Sequence, residues 1–162
     1  MKCLLPLLYF ICVAITGYSQ GINEYVVVNI PVSQTNTTAD IATYIKNNFN
    51  SESEKVRAIY SWITLNMRYD KDSPHLAILT VDRGRKIAAA LKRRKGVCEH
   101  FAAIFNDICI KSGIKSFVIE GYTKQSGSVD KSPHAWCAAL VDYKWFLYDP
   151  TWDGGFTGSI RN

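Results

Sequence analysis

The apolar residues of this chain change their spacing at Gly113, and that change limits the folds open to it. Before Gly113, Val56, Ile59, Tyr60, Ile63 and Met67 recur at helical intervals, and so do Phe101, Ala102, Phe105, Ile108 and Cys109. After it, the segments Lys115–Thr123, Pro133–Val141 and Trp145–Asp149 read as strands. Helices first and strands afterwards predict an α+β fold, with helices packed on an antiparallel sheet. A length of 162 residues favours one domain, and 48% apolar residues supply a core and exclude a disordered chain. The five Cys are too few and too scattered for a disulfide framework. The net charge of +5 neither demands nor excludes an anionic partner.

Local signals place the elements. Glu24–Ile30 reads as a strand stopped by Pro31. Thr38–Phe49 predicts a short helix capped by Thr38, and Ser51-x-x-Glu54 is a capping box opening the next one. Lys71–Thr80, with Pro74 and His75, reads as an irregular crossing. Asp82–Arg94 predicts a helix with Ile87, Ala88 and Leu91 inward and Gly96 as its stop. The helix that follows begins at or beside Cys98 and ends at Gly113, and Lys124–Ser132 reads as a polar loop.

Residues 1–19 read as a secretory leader. Lys2 is a positive start, Leu4–Ile15 is apolar, and Gly17 and Ser19 suit a cut before Gln20. The apolar run of about 12 residues is short of the roughly 20 that span a bilayer. An uncleaved anchor is the other reading. Ile11 is too bulky for a lipidation box at Cys12. The expectation is an exported protein, periplasmic or secreted, with no transmembrane segment after cleavage. Cys98, Cys109 and Cys137 then remain, an odd number, so at least one thiol stays unpaired within the chain.

Three residues point to chemistry. Cys98 stands at the start of a predicted helix, where free N–H groups and the helix dipole favour thiolate. The blander reading is a buried structural Cys. His134 begins one predicted strand and Asp149 ends the next. With a two-residue turn at Asp142-Tyr143, Val141 faces Lys144 and Trp136 faces Asp149, and His134 is the diagonal neighbour of Asp149 on one face. A three-residue turn without a bulge would put them on opposite faces, and Tyr suits the positive φ of a tight turn poorly.

The blocks Lys95-Gly-Val-Cys98-Glu-His-Phe101, Gly113-Ile114, Pro133-His-Ala-Trp136 and Lys144-Trp-Phe-Leu-Tyr-Asp149-Pro-Thr-Trp152 resemble the core of the transglutaminase-like superfamily. The closest likeness is to its bacterial exported, kyphoscoliosis-peptidase-like branch. The resemblance covers about Ser51 to Gly155 and includes the Trp62 helix. It implies a papain-like fold and a Cys98–His134–Asp149 triad. It also implies attack on an amide carbonyl through a thioester, with the Cys98 N–H as one oxyanion donor. Three features depart from the family pattern: His100-Phe101 where Gly-Tyr is frequent, Cys137 where Asn is frequent, and a chain that stops soon after Asp149. The division expected is a leader at 1–19, an N-terminal strand and helix extension at 20–50, and a transglutaminase-like domain at 51–162. That domain reads as C-terminally incomplete, with a bare sheet edge.

The other candidates are less specific. Trp136 and Trp152 are either cleft walls or core. His100, two positions past Cys98, is a cleft candidate on another helix face. Cys109 reads as core, and Cys137 as core or as its disulfide partner. Zinc at Cys98, His134 and Asp149 would lack a fourth protein ligand, and calcium lacks an acidic cluster. No metal or cofactor is called for. Arg83, Arg85, Lys86, Lys92, Arg93, Arg94 and Lys95 form a solvated helix face or a dock for an acidic envelope partner, and nucleic acid is not expected. The functions in view are a cysteine-dependent hydrolase or acyltransferase on protein or peptide amides, and a non-catalytic module that binds them. Cofactor-dependent acyl transfer ranks last, because nothing signals a nucleotide-bearing donor.

Overall fold

The computed structural model describes residues 27–72, 82–125 and 127–154. The predicted leader, Cys12, the start of the Glu24–Ile30 strand, Pro74, His75 and everything after Gly154 lie outside the described residues.

Helix α1 (Thr38–Asn48) opens with a reciprocal cap: Thr37 Oγ1 accepts from Asp40 N, and Asp40 Oδ2 accepts from Thr37 N. The cap is thus Thr37 and not Thr38, because Asp40 stands three residues after Thr37. Thr38 turns its hydroxyl to Asp107 instead. Helix α2 (Glu52–Asn66) carries the expected Ser51–Glu54 box. Its Val56, Ile59, Trp62 and Ile63 are buried.

Residues 27–30 form no strand. Val28 and Ile30 are buried while Val27 and Asn29 are exposed, so the strand-like alternation is real. Among the described residues no neighbour completes a ladder there. A short 3-10 turn, Val32–Gln34, follows.

The two-residue strand β1 (Arg68–Tyr69) pairs in parallel with β2 (Lys95–Gly96). Between them in sequence lies α3 (Arg83–Arg93), capped by the Asp82 side chain. Ile87, Ala90 and Leu91 face inward, and Ala88 is exposed, contrary to its expected place. The helix stops at Arg94, which takes the left-handed conformation (φ 52°). Gly96 was expected to be this stop. It serves packing instead, since a Cβ there would meet His100 Cβ at 2.7 Å.

Helix α4 (Cys98–Lys111) is the centre of the molecule. Phe101, Ala102, Ile104, Phe105, Ile108 and Cys109 are all fully buried, against α1, α2 and α3 on one side and the sheet on the other. Burying each large side chain contributes roughly 1.5–3 kcal/mol. The helix ends where Gly113 turns to φ 85° and Ile114 N bonds back to Cys109 O.

The sheet is antiparallel, in the order β3 (Ser116–Gln125), β4 (Ser128–Val141), β5 (Lys144–Tyr148). The polar segment Lys124–Ser132 is not a loop. β3 and β4 run on through it, with Gln125 paired to Ser128 across a tight turn and a register shift between Tyr122 and Lys124. Polar composition hid these strands, whose Lys124, Ser128, Val129 and Ser132 meet solvent. Between β4 and β5 the turn is Asp142-Tyr143, both at positive φ (49° and 63°), which is a two-residue type I′ turn. Ala135, Cys137, Ala139 and Val141 are buried on the face toward α4, while His134, Trp136, Ala138 and Leu140 point the other way. Helix α5 (Pro150–Asp153) is one turn long. Among the described residues no helix is long and apolar enough to cross a membrane.

Candidate active site

The hairpin fixes the register. Val141 pairs with Lys144 and Cys137 with Tyr148, so Asp149 follows directly beyond the last pair, opposite Trp136. His134 Nε2 and Asp149 Oδ2 lie 2.6 Å apart. The carboxylate works at two places, because Asp149 Oδ1 also accepts from Thr151 N at 3.1 Å and so caps α5. Pro150 at the first helical position suits that start. From α2, the Tyr60 hydroxyl lies 3.1 Å from the Asp149 carbonyl oxygen and 2.6 Å from Asp153 Oδ2. Backbone and side chain of Asp149 are therefore both held.

Two tryptophans wall His134. The Trp136 ring stacks beside it at 5.8 Å between centroids, and the Trp152 ring meets it edge-on at 6.0 Å. Trp136 extends over Gly121, where a Cβ would stand 2.8 Å from the indole, so only glycine fits beneath it. The resulting open cleft has a volume of about 590 Å³. Its walls are Tyr122, Lys124, Leu147 and the two tryptophans, with His134 and Asp149 among the residues that line it.

Cys98 is the first residue of α4 and is only 7% exposed. As first residues of a helix, Cys98 and Glu99 present N–H groups with no carbonyl partner inside the helix. Tyr69, on β1, is its neighbour. Burial pushes the Tyr69 phenol up, and a charge on Cys98 would push it the same way. Nothing in the spacing of Tyr69 signalled this; the short β1–β2 pairing brings it there. Among the described residues no hydrogen bond joins Cys98 to His134, and Cys98 does not line the cleft.

His100 is not among the residues that line the cleft around His134. Its Nδ1 accepts from Val97 N at 3.3 Å, closing the start of α4 from the third helical position. Val97 offers no side-chain acceptor, so the imidazole supplies the only side-chain cap there. Burial pushes the His100 imidazole down, which keeps the accepting lone pair free.

The other thiols belong to the core. Cys109 and Cys137 are free and fully buried. Burial raises the Cys109 thiol well above its usual range and pushes Cys137 up to about 12. Cys137 gives its S–H to Ala102 O at 3.2 Å. Neither is a ready nucleophile. Among the described residues no group of three or more acidic, His or Cys side chains could hold a metal ion.

The basic segment divides into two sets. Lys86 pairs with Glu99, and Arg93 and Lys95 pair with the buried Asp70. Arg94 lies over the Trp62 ring and donates to Thr35. Arg83, Arg85 and Lys92 are exposed.

A family model described as the transglutaminase-like superfamily matches residues 39–150. The kyphoscoliosis peptidase of Mus musculus is 32% identical over 123 residues, which cover 70% of this chain and 18% of that protein. The Homo sapiens counterpart is 30% identical over the same length and shares. The chain thus spans under a fifth of the length of these curated relatives. Among solved structures, the periplasmic domain of TgpA from Pseudomonas aeruginosa bound to ethylmercury has a TM-score of 0.61 at 20% identity. That match covers 78% of this chain and 48% of the TgpA chain, and the likeness is one of fold.

Proposed function

Because the chain belongs to the transglutaminase-like superfamily, we propose that it is an exported, cysteine-dependent amide hydrolase or acyltransferase acting on protein or peptide substrates through Cys98, His134 and Asp149. The observation that carries this reading is the 2.6 Å contact between His134 Nε2 and Asp149 Oδ2 in the aromatic cleft. Asp149 engages Nε2, so the Nδ1 lone pair is left to take a proton. The thiol of Cys98 gives that proton, and Sγ attacks the substrate carbonyl carbon. Negative charge then develops on the carbonyl oxygen, and the N–H groups at the start of α4 stabilise it. The C–N bond breaks as the imidazolium returns its proton to the departing amine. The thioester left on Cys98 is opened by water, which completes hydrolysis, or by a second amine, which completes a cross-link. In both cases His134 takes the proton of the attacking group.

A second reading, a non-catalytic module that binds peptides, is favoured by one observation. Cys98 is nearly buried, and among the described residues it makes no hydrogen bond to His134. In either reading the exposed Arg83, Arg85 and Lys92 remain the proposed contact for an acidic envelope partner, with the rest of the basic segment tied within the chain.

Alkylation of the thiols by iodoacetamide between pH 5 and 9, mapped by peptide mass in the wild type and in His134→Ala, separates the two. The catalytic reading expects Cys98 to react faster than Cys109 and Cys137. It also expects that reaction to persist near pH 6, where an ordinary thiol (pKa about 8.5) is almost wholly protonated, and to be lost in His134→Ala. An inert Cys98, or one profile shared by both proteins, leaves the binding module as the account.

A further inference from the structure

We propose that the outer face of the β3–β5 sheet is the docking strip for an extended, apolar segment of the polypeptide whose amide is processed; this rests on the amide-processing reading above. The inner face of the sheet is covered by α4. Among the described elements nothing covers the outer face, yet between the His134 row and the Leu140 row that face is mostly apolar.

Register defines it row by row. Gly121 lies opposite His134, and Ile119 lies opposite Trp136 with Asp149 just beyond. Phe117, Ala138 and Leu147 form the next row, and Leu140 and Trp145 the one after. Phe117 is 52% exposed, Trp145 49% and Leu147 71%. The Phe117 and Trp145 rings, from the strands on either side of β4, stack at 5.4 Å between centroids. Lys115 Nζ stands 5.9 Å from both rings. The strip starts at a reacting pair of side chains and ends at a cation over two aromatic rings.

Continuity with the cleft chooses the occupant. Leu147 and Trp136 belong both to the strip and to the cleft around His134. A second copy of the chain seated on the strip would also close that cleft. A substrate segment would use the two together. From His134 to Leu140 the strip runs six residues, about 20 Å at the rise of a strand, and five or six extended residues span that distance. The matching segment carries aromatic or branched aliphatic side chains at alternate positions, with a carboxylate at the Lys115 end.

The test uses the full chain and two fluorescein-labelled decapeptides that share a central Gln and a terminal Asp. One carries Phe or Leu at alternate positions and the other Ser at the same places. Fluorescence anisotropy should show the apolar peptide binding about tenfold tighter or more, a difference two stacked aromatic contacts can supply. Phe117→Ser combined with Trp145→Ser should erase the preference, and so should Ala138→Glu, which sets a charge in the row between Phe117 and Leu147. Circular dichroism melts check that both variants remain folded. Cys98→Ala should leave the binding preference intact, so the two failures are told apart: an inert Cys98 in the alkylation experiment removes the processing step, whereas loss of the preference removes the docking strip. Equal binding of the two peptides overturns the proposal. So does a preference that survives both variants, or sedimentation showing a dimer that the variants dissolve and that excludes peptide.

Discussion

His100 shows how one side chain can serve a site without facing it. Its imidazole accepts from Val97 N and so closes the helix that begins with Cys98. Only the neutral ring can accept. Burial lowers its pKa from the ordinary 6.5, with Arg93 and Lys86 acting the same way and Glu99 and Asp70 opposing them. The unfolded chain therefore binds the proton at a higher pH than the folded one. The contribution of this cap is fully present above about pH 6.5 and is lost as the pH falls through the folded value. Gln at the same helical position keeps an acceptor without the titration. His100→Gln should accordingly flatten the fall in urea midpoint between pH 6.5 and 5 while matching the wild type near pH 7.5. Urea titrations at three pH values decide it, and an unchanged acid limb would show that another group controls it. Gly96 belongs to the same device, since any larger residue there would push on His100 Cβ.

The β4–β5 hairpin is the element on which the site depends. Its turn sets Tyr143 at φ 63° and 98% exposed, a conformation that L residues other than Asn, Asp and Gly resist. Glu52 on α2 accepts the Asp142 N–H at 2.8 Å and braces the turn from outside. The packing of Ala135, Cys137, Ala139 and Val141 on α4 holds the register from below. A slip of one residue would turn His134 inward and bury Trp136, so the core opposes it. The strain is thus sustained by contacts around the turn. Asp-Gly is the preferred pair for this turn, so Tyr143→Gly should raise stability by about 1 kcal/mol, the left-handed strain relieved less the freedom Gly gains in the unfolded chain, without altering the His134–Asp149 contact. Equilibrium unfolding measures the gain. A loss of stability would mean that the Tyr143 ring makes a contact that outweighs its backbone strain.

At the scale of the whole molecule, α4 joins the described helices to the sheet. Helices α1, α2 and α3 cover one side of it, the sheet covers the other, and α5 returns to it through the close approach of Gly154 and Phe101. Phe105 sits at the junction: it stacks on Tyr148 at 5.3 Å and meets Tyr60 edge-on at 6.4 Å. Tyr60 in turn reaches the Asp149 carbonyl. Phe105→Ala should cost about 3–5 kcal/mol, seen as a drop in melting temperature. The His134 side-chain resonances should also broaden at temperatures below global melting, because the same cavity loosens Tyr60. Sharp His134 signals up to the melting point would argue that Tyr60 is held independently of Phe105.

The sequence alone determined that helices precede an antiparallel hairpin, because local spacing and capping carry that information, and its Gly-Val-Cys98, His134-Ala-Trp136 and Asp149-Pro-Thr-Trp152 blocks carried the likeness to the family. The change of period at Gly113 marked helices before strands, and the Ser51–Glu54 box marked α2. The alternation on β4 and β5 placed His134 and Asp149 on one face as soon as the turn had two residues. What depended on distant neighbours stayed hidden. The Thr37–Asp40 box that caps α1 is local and open to reading, whereas the bond of Thr38 to Asp107, far along the chain, is not. Residues 27–30 alternate as a strand yet form none, since a strand needs a partner that local sequence does not supply. The polar stretch after Lys124 joins the sheet because pairing, and not hydrophobicity, holds an exposed hairpin. His100 became a helix cap only because Gly96 leaves it room, and Tyr69 reached Cys98 only through the pairing of β1 with β2. Periodicity is a property of neighbours along the chain. A site is a property of neighbours in space, and tertiary packing decided which residues those were.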